Sequence, residues 1–258
     1  MTVREAFSSS KVPAVTLGFW VIKIAATTLG ETGGDALSMS LQLGYAISSV
    51  IFFAIFIAVV TVEIKSKVFH PLLYWAVIVA TTTTGTTMAD FADRSLGVGY
   101  VGGSLILFAA VLLSLAAWWF TIGSVSVNRI DSPKVEIFYW VTILFSNTLG
   151  TALGDFLADS SGLGYEGGAL VFLVALGMLA VAYYCTTLSH TLLFWAAFIL
   201  TRPLGATMGD LLTKPHSDGG MNFSRFGSSS LIAVFIVVCI LLIPQRVGTH
   251  PGAHEVRG

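Results

Sequence analysis

The sequence predicts an all-α integral membrane protein: eight transmembrane helices, built as four repeated two-helix hairpins that form two parallel four-helix halves. Three observations carry that expectation. Of 258 residues, 55% are hydrophobic and only 10% charged, and the mean hydropathy is +0.85, well outside the range of a water-soluble domain. Eight stretches are apolar enough to cross about 30 Å of hydrocarbon, a distance that takes roughly 20 residues as a helix. A glycine and aspartate pattern recurs four times, once per pair of stretches.

In chain order the stretches are Val12 to Leu29, Leu43 to Val62, Leu72 to Met88, Tyr100 to Ile122, Val135 to Leu153, Tyr165 to Tyr184, Leu192 to Met208 and Ser228 to Ile243. The opening segment MTVREAFSSSKVP holds Arg4, Glu5 and Lys11 but no short apolar core with a small-residue cleavage site, so the first span is expected to be retained. The first span contains Lys23 and the seventh contains Arg202-Pro203. Cys185 and Cys239 lie in apolar runs, as small hydrophobes of a membrane core do, and form no disulfide or thiolate metal pattern. The repeats run over about 12–64, 70–122, 132–186 and 190–243, followed by a polar tail, 244–258, expected in the cytoplasm.

Basic residues in short loops mark the cytoplasmic side. Eight (Arg4, Lys11, Lys65, Lys67, Arg129, Lys134, Arg246, Arg257) lie on the side of the termini and three (Arg94, Lys214, Arg225) on the other. Both termini are therefore expected in the cytoplasm of a plasma (inner) membrane protein. Acids favour the outer side: Glu31, Asp35, Asp90, Asp93, Asp155, Asp159, Glu166, Asp210 and Asp218, against Glu5, Glu63, Asp131, Glu136 and Glu255 on the inner one. With 13 Lys+Arg against 14 Asp+Glu, no basic excess exists to neutralise phosphates, and nucleic acid is excluded as a partner. The expected partners are the lipid bilayer and a small ion or small-molecule substrate, with homo-oligomer formation left open.

The repeat is visible in fixed spacings. Trp20, Trp75, Trp140 and Trp195 are each followed 15 residues later by Asp35, Asp90, Asp155 and Asp210, both series stepping by 55, 65 and 55. Gly30, Gly85, Gly150 and Gly205 stand five residues before the aspartates; Gly34, Ala89, Gly154 and Gly209 stand one before them. Gly44, Gly99, Gly164 and Gly219 follow nine residues after, the first three preceding tyrosine, whereas the fourth precedes Gly220. A second relation of 120 residues maps Pro13 onto Pro133 and His70 onto His190. Each unit holds an even number of spans, so all copies face the same way and any pseudosymmetry axis runs along the membrane normal.

The segments TTLGETGGD, TTTGTTMAD, NTLGTALGD and RPLGATMGD resemble those of bacterial integral membrane proteins built from four copies of a short repeat of unknown function, catalogued as membrane-anchored proteins. The resemblance spans roughly residues 13 to 243. It implies the repeated architecture and supplies no catalytic residues.

Small residues four apart share a helix face and let backbones approach, so Gly30/Gly34, Gly85/Ala89, Gly150/Gly154 and Gly205/Gly209 are expected to pack the odd helices into an inner bundle. Each aspartate then falls at a helix C-terminus, where the dipole disfavours negative charge by about 0.3 to 1 kcal/mol. Compensation could come from capping a following short helix, for Asp90 before FAD and Asp155 before FLAD, from a shared cation or proton, or from loop water. Thr28, Thr83 and Thr148, with Glu31 and Asn147, supply further oxygens suited to a hard cation or a proton relay, the metal itself being unspecified. The alternative for the threonines is a bond to the carbonyl one turn earlier.

Lys23 aligns with Ile78, Ile143 and Phe198, and Arg202 with Thr27, Thr82 and Asn147. Intramembrane cations mark functional sites by default. His70 and His190 are read as caps or interface anchors, and His250 and His254 make no metal site. No nucleophile elbow, P-loop, Rossmann or zinc-protease motif occurs, so neither an enzyme nor a cofactor is expected. The leading expectation is a small secondary transporter or permease for a cation, proton or divalent metal, with Asp35, Asp90, Asp155 and Asp210 at its outer mouth. The alternatives are an anion or metabolite carrier using Arg202 and Lys23, and a non-transporting scaffold or sensor.

Overall fold

Three of the four odd helices end at their repeat's aspartate, Asp35, Asp90 and Asp155. A computed structural model describes residues 11–66, 68–127, 130 and 132–246. Arg4, Glu5, Lys67, Arg129, Asp131, His250, His254, Glu255 and Arg257 of the charge and motif pattern lie outside the described residues, as does the tail beyond Arg246. The described residues form eight long helices: α1 (Leu17–Asp35), α2 (Gly44–Lys65), α3 (Pro71–Asp90), α4 (Gly99–Ile122), α5 (Pro133–Asp155), α6 (Gly164–Cys185), α7 (His190–Thr213) and α8 (Arg225–Leu242). No β-strand occurs among the described residues. Six of the helices, all but α1 and α3, are long and apolar enough to cross a membrane.

The odd helices reach further than the apolar stretches suggest. α1 runs to Asp35 rather than Leu29, and α7 to Thr213 rather than Met208. The polar and glycine residues that end the apolar run face other helices instead of water, so the helix continues through them. After α1, α3 and α5 the chain widens into five-residue π-helical turns, Ala36–Ser40, Phe91–Ser95 and Phe156–Ser160. Gly44, Gly99, Gly164 and Gly219 all take positive φ, +74°, +75°, +65° and +85°. Only glycine adopts that backbone freely, which explains its recurrence nine residues past each aspartate.

α1, α3, α5 and α7 form a closed ring, each packed against two ring neighbours, with α7 returning to α1. They run parallel. A Cβ at Gly30 would collide with Thr82, and one at Gly34 would lie 3.0 Å from Thr86. Gly85 meets Asn147 and Thr148, Gly150 meets Arg202 and Pro203, Gly154 meets Ala206, Gly205 meets Thr27 and Gly209 meets Glu31. Ala89 is 1% exposed. Thus the glycine of each repeat receives the residue eight before the next repeat's aspartate, and the last repeat closes on the first.

The expected hairpins and halves need correction. α2 packs on α3, α4 on α5, α6 on α7 and α8 on α1, so the even helix lies against the next repeat's odd helix instead of its own. The ring also shows no break into two four-helix halves, since α3 packs on α5 and α7 on α1 as α1 does on α3. The ring interfaces use up two sides of each odd helix, and the outward side is covered by a helix arriving from the preceding repeat. α2, α4, α6 and α8 present broad apolar faces, including Val50, Ile57, Leu105, Leu113, Leu173, Met178, Leu231 and Val234. Continuous exposed apolar surface of that kind is at home in lipid.

The two ends of the ring differ. At the N-terminal end Trp75, Trp140 and Trp195 are at most 5% exposed, contacting Tyr74, Tyr139, Phe19, Phe194 and Phe198 edge-on or tilted. The Tyr74 and Tyr139 hydroxyls pair at 2.7 Å. These tryptophans therefore form a plug within the protein, not a belt facing the lipid boundary.

Candidate carboxylate site on the ring axis

A repeat of i, i+4 positions lines the axis, because residues four apart share one helix face. Counting back from the aspartates, the first layer is Asp35, Asp90, Asp155 and Asp210. Four residues earlier stand Glu31, Thr86, Thr151 and Ala206; eight earlier, Thr27, Thr82, Asn147 and Arg202; twelve earlier, Lys23, Ile78, Ile143 and Phe198. All sixteen are buried, with exposures of 0 to 3%.

The four aspartates converge. Carboxylate oxygens of Glu31, Asp155 and Asp210 lie within 4.8 Å of one another, and so do those of Glu31, Asp35 and Asp90. Glu31 thus belongs to both triads. Two basic residues beyond the helix ends tie the aspartates in pairs. Arg94 lies 2.8 Å from Asp90, 3.4 Å from Asp155 and 3.5 Å from Asp159. Lys214 lies 3.0 Å from Asp35 and 3.1 Å from Asp210. Arg225 reaches Asp35 at 3.6 Å from the rim. Burial alone would weaken the charged forms of Lys214 and Arg94, but their carboxylate partners, Asp210 and Asp35 for the first, Asp90 and Asp155 for the second, outweigh it and hold both pKa values above the ordinary lysine and arginine ranges.

This corrects three expectations. Asp35, Asp90 and Asp155 make no capping hydrogen bond, and Asp210 lies inside α7. They are 1 to 3% exposed, so loop water does not solvate them, and the acids form a covered cluster instead of an open mouth. Thr28, Thr83 and Thr148 do not turn to the site: each hydroxyl donates to the carbonyl four residues earlier, at 3.0, 2.8 and 2.9 Å. The hydroxyls are thereby spent on their own helices, as threonines in membrane helices commonly are.

Arg202 crosses the axis one layer below. Its Nη2 donates to Glu31 Oε2 at 3.0 Å and to Thr151 Oγ1 at 2.6 Å, and also to Thr86 Oγ1. One guanidinium nitrogen therefore contacts α1, α3 and α5 from α7. Pro203 beside it does not interrupt α7. Lower still, Lys23 Nζ donates to Asn147 Oδ1 at 3.4 Å and lies 4.1 Å from the Phe198 ring centre, while Asn147 Nδ2 donates to Thr81 Oγ1 at 2.9 Å. His70 is at the N-cap position of α3 with no side-chain cap bond, and His190 packs its ring on Tyr183; neither reaches the axis.

A family model described as Repeat of Unknown Function (DUF347) matches residues 18–69, 73–124, 138–188 and 193–244. The chain belongs to this family. No curated protein and no solved structure matches it at a significant level.

Within the DUF347 repeats, four residues of the site are absent from the sequence-based candidates: Thr86, Thr151, Arg94 and Lys214. Their signal is periodic. Thr86 and Thr151 stand four before their aspartates, in register with Glu31, and Arg94 and Lys214 stand four after theirs, 120 residues apart. The half-chain duplication thus sets which repeats carry the tethering cation, while the first and third have Met39 and Asp159 at that place.

Proposed function

We propose that the protein is a multi-pass secondary transporter of the inner membrane, without enzymatic activity, that carries a cation, either a proton or a divalent metal, through its carboxylate cluster. The observation that carries this reading is the convergence of five buried carboxylates, Glu31, Asp35, Asp90, Asp155 and Asp210, in two triads. They are opposed there by Arg94, Lys214 and Arg202, with Arg225 at the rim. Negative charge exceeds positive by one or two, and a buried excess of that kind calls for protons or a bound cation. Oxygens within 4.8 Å of each other suit a hard ion with metal–oxygen bonds of about 2.0 to 2.6 Å. Protons and a metal would compete for the same oxygens, which is the elementary requirement of coupled exchange. Arg202 and the tryptophan plug fill the axis below, which favours a carrier that rearranges over an open channel.

In this reading all eight helices cross the bilayer, α1 and α3 being enclosed by their neighbours. The termini are cytoplasmic and the acids lie toward the outside, as the eight-to-three distribution of basic residues supports. Cysteine introduced at Ser160 should react with a membrane-impermeant maleimide applied to intact cells, whereas one at Ser66 should react only after permeabilisation. The opposite pattern would invert the topology.

Flux in proteoliposomes tests the transport reading, with an internal pH dye for protons and entrapped indicators for Mg²⁺, Mn²⁺, Ca²⁺ and Zn²⁺. Asp90→Asn and Asp155→Asn should each lower the flux at least tenfold while keeping a monodisperse elution profile. Wild-type rates in both folded variants would remove the carboxylates from the mechanism. No flux of any of these ions through the wild type would leave the scaffold reading in its place.

A further inference from the structure

At the end of the ring opposite the aspartates, two acids are buried with a single base. Glu63, in the last turn of α2, and Glu136, in the first turn of α5, are each 1% exposed, and Lys11 is 9% exposed. They meet because α2 packs along α3 and also touches α5, while Lys11 enters from the segment before α1. An ammonium carries three N–H bonds, and those of Lys11 have three acceptors: Glu136 Oε1 at 2.7 Å, the Glu63 carbonyl oxygen at 3.0 Å and the Ile64 carbonyl oxygen at 3.3 Å. Both side-chain oxygens of Glu63 are left with no hydrogen-bond partner among the described residues.

The described groups that face Glu63 do not supply a counter-charge. On its own helix Lys65 is exposed, as is Lys134 at the start of α5. From α5 come Glu136, a second acid, and Tyr139; from α3 comes Tyr74. The two tyrosine hydroxyls bond each other at 2.7 Å, and neither bonds Glu63. Lys11, the one base within reach, is paired with Glu136. An ionised Glu63 would therefore be buried and unpaired beside another carboxylate, at a helix C-terminus whose dipole also disfavours negative charge. A metal ion fits no better, because the oxygens that would surround it, Glu136 Oε1 and the two α2 carbonyls, are taken by Lys11.

We infer that Glu63 is a proton-binding site: its carboxyl is the un-ionised acid at neutral pH and exchanges that proton at the end of the ring where the tryptophan plug lies. Release of the proton leaves two carboxylates competing for one ammonium, so Lys11 is drawn from Glu136 toward Glu63 until the proton returns. In the transport reading this makes Glu63 the cytoplasmic counterpart of the aspartate cluster. Its proton occupancy does not depend on that reading.

Infrared spectroscopy of the purified full-length protein in detergent reads an un-ionised carboxyl directly, through its carbonyl stretch. Subtracting the spectrum of Glu63→Gln from that of the wild type removes the bands common to both and isolates residue 63. At neutral pH the difference should contain one acid band, replaced at alkaline pH by the bands of a carboxylate. Glu136→Gln releases Lys11 to Glu63, so wild type minus Glu136→Gln should show loss of the same acid band at neutral pH; this variant carries the test should Glu63→Gln not fold. Thermal midpoints give a second readout. The native state keeps a proton that the unfolded chain has lost, so the wild type should lose stability relative to Glu63→Gln as pH rises from the acid range to the point where the acid band disappears, and no further above it. Absence of the acid band at neutral pH would show Glu63 ionised and overturn the inference, as would a gap in midpoint that does not change with pH. The same subtraction in an Asp155→Asn background should give the same band whatever that change does to flux; its loss there would assign the proton to the aspartate cluster instead.

Discussion

Gly85→Leu is expected to leave little folded protein, while Gly177→Leu behaves as wild type. A Cβ at position 85 would lie 2.9 Å from the Thr148 amide nitrogen and 3.0 Å from the Asn147 carbonyl carbon, so the atoms in its way are backbone. A flexible side chain can swing aside, but here the whole of α5 would have to withdraw, and a closed ring transmits that displacement to both neighbouring interfaces. The cost should reach or exceed the upper end of the ~1–3 kcal/mol typical of overpacking. Gly177 in α6 has no atom within 4 Å of such a Cβ, and its substitution by leucine should shift stability by less than about 0.5 kcal/mol. Yield of monodisperse protein and melting temperature measure both. Similar values for the two variants would mean that the ring is not held by close backbone approach.

The second large effect should follow Arg202→Met. The side chain is fully buried and holds Glu31, Thr86 and Thr151 from three different helices through one nitrogen. Without it the Glu31 carboxylate stays in the core among Asp35, Asp90, Asp155 and Asp210 with its nearest cation gone. Removing one partner of a buried pair typically costs about 3–5 kcal/mol, most of it from the charge left behind. Removing that charge as well should therefore restore much of the loss. The melting temperature of Arg202→Met/Glu31→Gln is expected well above that of Arg202→Met alone. If the double variant is no more stable than the single one, Arg202 supports the ring by packing and its pairing with Glu31 contributes little.

The repeat, its register and the parallel sense of the odd helices were legible in spacing alone, because a fold built from one unit must repeat its chemistry at the same places. The glycines that form the ring contacts and the aspartates that meet on the axis are the residues that recur at fixed distances. Thr28, Thr83 and Thr148 mislead for a local reason: seven residues are nearly two full turns, so they stand close to the aspartates' phase, but each hydroxyl is taken up by the carbonyl four residues earlier in its own helix. Thr86 and Thr151 are no closer in sequence terms than several other threonines, yet they share the aspartate's face. The i, i+4 relation distinguishes them, as it does Arg94 and Lys214.

Sequence by itself determined the four repeats, the identity of the ionisable residues and the breaks in symmetry at Lys23, Glu31 and Arg202, since each is a property of aligned positions. Tertiary structure decided how the repeats meet. Whether an even helix folds back on its own odd helix or onto the next one depends on which interfaces the ring leaves open, and hydropathy is the same in both arrangements. Closure of α7 against α1 likewise brings Arg202 to Glu31 across 171 residues, and unites aspartates from four separate segments in one buried cluster. Partnering of that kind is set by distance in space, where desolvation makes a missing counter-charge costly, and no spacing along the chain specifies it.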